Sequence, residues 1–160
     1  MSIKVGDRIP NVTLKYIDKD GMQTVSTDDL FKGKKVVLFA LPGAFTPTCS
    51  AKHLPGYVTH ASAIREKGID TVACLSVNDA FVMDAWGKQQ NAEDKVLMLA
   101  DGNADFSKAV GLTMDGTAYG MGLRACRYAM VVQDGEVKAL HVEAPGAFEV
   151  SSAEALLKAL

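Results

Sequence analysis

Cysteine is scarce in this 160-residue chain, with three residues at positions 49, 74 and 126 and no Cys-x-x-Cys pair. So small and odd a number excludes a disulfide-stapled scaffold and leaves each thiol as either apolar filler or a reactive group. The three histidines stand apart at 53, 60 and 141, so no zinc-type ligand cluster can be assembled. An excess of charge of one sign is also missing: Lys and Arg number 17, Asp and Glu 19, for a net charge of −2. Without a basic stripe there is no electrostatic footprint for nucleic acid. Long hydrophobic runs are absent too. The longest strongly apolar one, Val36 to Leu41, is far too short to span a membrane, and the start Met-Ser-Ile-Lys-Val-Gly-Asp-Arg lacks the apolar stretch of a secretory signal. A cytoplasmic protein with no membrane association is expected. Linkers, repeats and low-complexity segments are lacking as well, and the 48% hydrophobic and 22% charged composition is that of one globular domain over residues 1–160.

What is present is an alternation of short apolar strands with helical patterns. Val12 to Ile17 and Thr24 to Ser26 flank Asp20-Gly21 and predict a hairpin. Lys35 to Leu41 is a continuous apolar run suited to a central strand buried on both faces. A helix is predicted from near Cys49, with Leu54, Tyr57, Val58, Ala61 and Ile64 at helical spacing and Pro55 placed to kink it. Asp70 to Val77 and Lys95 to Leu99 predict two further strands. Between them Asp79 is placed to cap a helix bearing Val82, Met83 and Trp86 on one face. Asp105 to Val110 reads as a short helix closed by Gly111. Arg127 to Gln133 and Glu136 to Val142 form a hairpin around Asp134-Gly135, and Ser151 with Glu154 has capping-box spacing for a last helix. The expectation is an α/β protein on the thioredoxin plan, a central mixed β-sheet with helices on both faces.

The stretch Leu41-Pro-Gly-Ala-Phe-Thr-Pro-Thr-Cys49-Ser50 leaves a buried strand and opens a helix. It sets a thiol in the first turn, where unpaired N–H groups and the positive end of the helix dipole favour an anion. The thiolate is the nucleophilic form, so the position suits a reactive cysteine. Two prolines and a glycine stiffen the approach, and Thr46 and Thr48 bring hydroxyls within reach of the sulfur.

Pro42-x-x-x-Thr46-x-x-Cys49 resembles the active-site signature of the peroxiredoxins, and the longer string from Pro42 to Gly56 resembles their type II, or five-like, subfamily. Cys74-Leu-Ser-Val-Asn-Asp-Ala-Phe-Val-Met83 and Gly122-Leu-Arg124, with Arg127 to Val132 just after, are similar to further segments of that subfamily. The resemblance implies a thiol peroxidase acting on hydrogen peroxide and alkyl hydroperoxides, with no metal or organic cofactor. It implies that Cys49 attacks the peroxide and becomes a sulfenic acid. Arg124 would hold the thiolate and polarise the peroxide, with Arg127 as second choice because of its phase into the following strand. Thr46 would hydrogen-bond the peroxide oxygens, and Pro42 would shield the sulfur. The N–H groups of Thr48 and Cys49 would act in the manner of an oxyanion hole. A homodimer with Phe45 and Phe81 near its interface is also implied.

Each assignment has a plainer counterpart. Thr46 can be only a helix N-cap. His53, one turn beyond Cys49, reads as a structural histidine in preference to a general base, and His60 and His141 carry no signal. Cys74 and Cys126 read as filler in preference to resolving thiols, which leaves an atypical two-cysteine peroxidase as the alternative. Residues 143–160 contain no cysteine. A one-cysteine cycle is therefore expected, recycled by glutathione with glutaredoxin or, second, by thioredoxin. A general thiol–disulfide oxidoreductase is disfavoured because residue 52 is Lys. A non-enzymatic peroxide sensor is the remaining alternative from a different class.

Overall fold

The computed structural model describes residues 2–160. In chain order it contains β1 (Thr13–Asp18), β2 (Gly21–Ser26), α1 (Thr27–Phe31), β3 (Lys35–Ala40) and α2 (Leu54–Glu66), the last entered through a π turn over Cys49–His53. There follow β4 (Thr71–Ser76), α3 (Ala80–Gln89), β5 (Leu97–Ala100), α4 (Asp105–Val110), β6 (Thr113–Asp115), β7 (Leu123–Ala125), β8 (Tyr128–Gln133), β9 (Glu136–Val142) and α5 (Ala153–Lys158). Seven strands form one sheet in the order β2-β1-β5-β4-β3-β8-β9. β3, β4 and β5 run parallel, while β8 pairs antiparallel with β3 and β1 antiparallel with β5, so the sheet is mixed.

Strand β3 shows why both faces are covered. Side chains alternate across a strand, and its two sets enter two separate cores. Val37 and Phe39, with Leu41 beyond the strand, pack with Leu54, Tyr57 and Ile64 of α2, Met83 and Trp86 of α3, and Leu156 of α5. Val36, Leu38 and Ala40 pack with Leu30 and Phe31 of α1 and with Phe106 and Val110 of α4. This is the expected arrangement of helices on both sides of the sheet.

Local chemistry places most elements where the sequence predicts them. The carboxylate of Asp79 accepts from the Val82 N–H at 2.9 Å and caps α3. Asp134 and Gly135 both take positive φ, 48° and 82°, as the tight β8–β9 turn requires. Three details differ. β2 starts at Gly21, three residues earlier than predicted, because its pairing with β1 extends to the turn. Ser152, not Ser151, caps α5 by accepting from the Ala155 N–H; the Ser151 hydroxyl donates to Glu143 instead. The β6–β7 hairpin was not predicted, since strands of three residues leave almost no periodicity to read.

Candidate active site

The site lies where β3 ends. The carbonyl of Leu41 accepts from the Ser76 hydroxyl at 3.1 Å, and Asn78 Oδ1 accepts from the Ala44 N–H at 3.0 Å. These contacts fix the departing loop against the neighbouring strand. Phe45 at the loop's tip has φ of 64° and is 50% exposed. For a non-glycine residue that left-handed conformation costs on the order of 1–2 kcal/mol, so the loop holds a small strain beside the thiol.

Helical turns begin at Pro47. Proline suits that first position, because the N–H it lacks would have no partner there. The carbonyl of Thr46 accepts from Ser50 N–H at 2.9 Å and so holds the N-cap position. Its hydroxyl does not cap the helix but donates to the Gly43 carbonyl at 2.7 Å. The Thr48 and Cys49 N–H groups are thus without a side-chain cap at the positive end of the helix. The next turn is widened: Leu54 N–H bonds to Cys49 O, five residues back. Pro55 follows at once. The wide turn is how this helix accommodates the missing N–H that was expected to kink it. Trp86 Nε1 donates to Ser50 Oγ at 3.0 Å and holds this end of the helix from α3.

Cys49 is fully buried. The guanidinium that meets its sulfur belongs to Arg127, whose Nη2 donates to Sγ at 3.1 Å. This corrects the expectation for Arg124. Arg127 directly precedes β8, and Tyr128 pairs with Ala40 at the end of β3, so residue 127 stands level with the start of the active-site loop. Arg124 lies in the separate β6–β7 hairpin, opposite Met114. Its Nε donates to Met121 O at 2.8 Å and its Nη1 to Val77 O at 2.9 Å. A Cβ on Gly43 would lie 3.4 Å from Arg124 Nη1, so this second cation backs the Pro42–Gly43 turn rather than the sulfur. The phase of Arg127 in the strand, which counted against it, carries no weight because its side chain leaves before the ladder begins.

His53 completes the site and is the residue the sequence reading undervalued. Arg127 Nη1 meets its Nδ1 at 2.8 Å, and its Nε2 meets the Ser151 carbonyl at 3.1 Å. A guanidinium can only donate and a carbonyl can only accept, which assigns the neutral imidazole with its hydrogen on Nε2. Burial above all, then the charge of Arg127, lowers the His53 pKa to about 3. His53 is therefore no base for the thiol; it orients the arginine. The one available signal was its position four residues after Cys49, on the same helix face.

The neutrality of His53 has a stability consequence. Between its unfolded pKa of 6.5 and about 3, the unfolded chain binds a proton that the folded chain refuses, so stability falls as pH is lowered through that window. At about 1.4 kcal/mol per unit, the loss by about pH 4.5 is roughly 2–3 kcal/mol. Urea unfolding at neutral pH and at about pH 4.5 should show it, and His53→Gln should flatten the difference whatever its effect on absolute stability. An unaltered pH slope in that variant would show that His53 is not the proton-binding group.

The other thiols are placed differently. Cys74 in β4 has no exposed surface, and burial, then the nearby Cys49, pushes its pKa well above the ordinary value. Cys126 is partly buried, donates to Thr113 O at 3.0 Å, and is likewise shifted upward by burial. All three cysteines are free. His60 bonds to Glu154 and His141 to the Val150 carbonyl, both on the surface. Among the described residues, no group of three His, Cys, Asp or Glu could hold a metal ion and no helix is long and apolar enough to cross a membrane.

The Redoxin family model matches residues 4–157. Over 99% of its length the chain is 52% identical to Peroxiredoxin-2E, chloroplastic, of Arabidopsis thaliana, covering 70% of that protein. It is 46% identical to Peroxiredoxin-2B of the same plant, covering 99% of this chain and 98% of that one. Reduced Prx3 of Vibrio vulnificus, solved in complex with hydrogen peroxide, superposes with a TM-score of 0.95 at 56% identity over 98% of each chain. The fold and the relatives define a thiol-dependent peroxidase of thioredoxin-like fold. Within that class, the chain belongs to the type II branch of the peroxiredoxins.

Proposed function

We propose that Cys49 is the peroxidatic nucleophile, on the strength of one observation above the rest: the 3.1 Å contact from Arg127 Nη2 to its sulfur. The guanidinium is a permanent cation and pure donor, so it favours the thiolate over the thiol. The thiolate attacks the distal oxygen of a hydroperoxide. An S–O bond forms as the O–O bond breaks, and the departing oxygen takes a proton and leaves as water or an alcohol. The N–H groups of Thr48 and Cys49 face the charge developing at the helix start. The Thr46 hydrogen is committed to Gly43, so its oxygen is left to accept a bond from the peroxide. Pro42, half-buried, opens the loop that leads to Cys49, and Arg124 braces that turn. Because Cys49 has no exposed surface, an oxidant reaches it only through a local opening of the site.

The proposed cycle uses one cysteine. Cys74 is sealed in the sheet, the Cys126 thiol is bonded to a strand carbonyl, and residues 143–160 carry no thiol. The sulfenic acid is then reduced by an external thiol, with release of water and formation of a mixed disulfide that a second thiol resolves. Glutathione with glutaredoxin is the first choice and thioredoxin the second, in a reducing compartment such as the cytoplasm. Half-exposed Phe45 and strongly exposed Phe81 support a homodimer that covers them.

Steady-state peroxide consumption with each reductant tests the reading. Catalytic turnover with glutathione and glutaredoxin is expected. One equivalent consumed per protein and no more, with every reductant, would favour the peroxide sensor.

A further inference from the structure

We propose that Glu143 is a positioning residue for the Cys49–Arg127 pair, acting through the 149–151 turn and His53. The inference rests on the reading that Arg127 activates Cys49.

Glu143 lies just past β9, opposite Arg127, whose carbonyl accepts from the Glu143 N–H at 3.0 Å. A carboxylate on the residue directly across from the arginine would be expected to pair with it and draw it away from the sulfur. Instead Glu143 Oε2 accepts from three donors in the following loop: Glu149 N–H at 2.7 Å, Ser151 N–H at 2.8 Å and Ser151 hydroxyl at 2.7 Å. Burial raises this carboxyl, but those bonds outweigh it and hold the group below the usual carboxylate range.

The turn so gathered, with Phe148 just before it, presents two groups to the site. The Ser151 carbonyl accepts from His53 Nε2 at 3.1 Å and from the Tyr57 hydroxyl at 2.7 Å. The ring of Phe148 lies 5.8 Å from the Arg127 guanidinium carbon and 5.1 Å, edge-on, from the His53 ring. A continuous line of contacts therefore runs from Glu143 through Ser151, His53 and Arg127 to Cys49. The Ser151 carbonyl keeps the His53 hydrogen on Nε2. That leaves Nδ1 free to accept from Nη1, and this second anchor aims Nη2 at the sulfur. Without the negative charge, three charge-assisted bonds become weaker neutral ones and the carbonyl is held less firmly on the imidazole.

The test compares Glu143→Gln with Arg127→Gln in folded, full-length protein, reading the Cys49 thiolate fraction at neutral pH by ultraviolet absorbance and the rate of reaction with hydrogen peroxide. Glu143→Gln should lower both by about tenfold, the scale of one charge-assisted hydrogen bond. In a double variant with His53→Gln, the two losses should be less than additive, since both act through one path. A merely structural Glu143 would lower the melting temperature but leave the thiolate fraction and the rate intact. That outcome, with Arg127→Gln strongly impaired, overturns the proposal and leaves the reading of the site standing. If Arg127→Gln is itself unimpaired, the reading fails and the proposal with it. Should Glu143→Gln not fold, Ser151→Ala deletes one of the three donors, and a fall of roughly threefold in both readouts is expected; no fall overturns the proposal.

Discussion

Cys49→Ser should abolish peroxide consumption, with a fall of at least about 10⁴-fold that no reductant restores. The substitution is nearly isosteric, so the hydroxyl can still accept from Arg127 and the fold should survive. What disappears is the sulfur, a soft atom able to attack a peroxide oxygen; a serine hydroxyl at the same point is a far poorer nucleophile towards it. Cys74→Ala and Cys126→Ser are the necessary companions. The first removes a sulfur with no exposed surface, the second a thiol bonded to Thr113 O. Both should retain most of the activity per folded molecule. If either stops turnover with every reductant while the first oxidation still proceeds, a resolving thiol exists and the one-cysteine cycle is wrong.

The second large effect is expected at Arg127. Arg127→Gln removes the cation 3.1 Å from the sulfur and leaves His53 Nδ1 without its donor. A buried anion that loses the cation hydrogen-bonded to it is strongly disfavoured, so the thiolate fraction at neutral pH should collapse. The rate with hydrogen peroxide should fall by about 10²–10³-fold, as when one donor is removed from an oxyanion site. Arg124→Gln should cost less than about tenfold, because the bonds of that side chain run to the Met121 and Val77 carbonyls and support the loop indirectly. Stopped-flow measurement of the first oxidation separates the two. Equal losses, or a larger one at Arg124, would return the central role to the residue favoured by the motif.

That pair of arginines marks where sequence reasoning stops. Both follow the same glycine-rich segment, three residues apart, and the strand phase by which the sequence ranked them put Arg124 first. The observed ranking comes from strand register: Tyr128 opposite Ala40 puts residue 127 beside the start of the Cys49 loop, and register is a property of two distant segments. His53 shows the same limit. Its spacing from Cys49 was legible, but which of its nitrogens carries the hydrogen depends on the Ser151 carbonyl, 98 residues away along the chain. The cap of α5 was displaced by one residue for a related reason, since Glu143 takes the first of two adjacent serines.

The sequence by itself determined most of the elements and the place of Cys49 at a helix start. Apolar periodicity, caps and turn residues act over a few positions, and Pro47 just before Thr48-Cys49 is enough to start a helix with a thiol in its first turn. Only the tertiary structure decided which arginine reaches that thiol, which nitrogen of His53 carries the hydrogen, and where the Glu143 carboxylate spends its bonds. Those are matters of distance between groups far apart in the chain. Hydrogen bonds and charges act over a few ångströms, so their partners exist only once the sheet has brought β3, β8 and the last loop together.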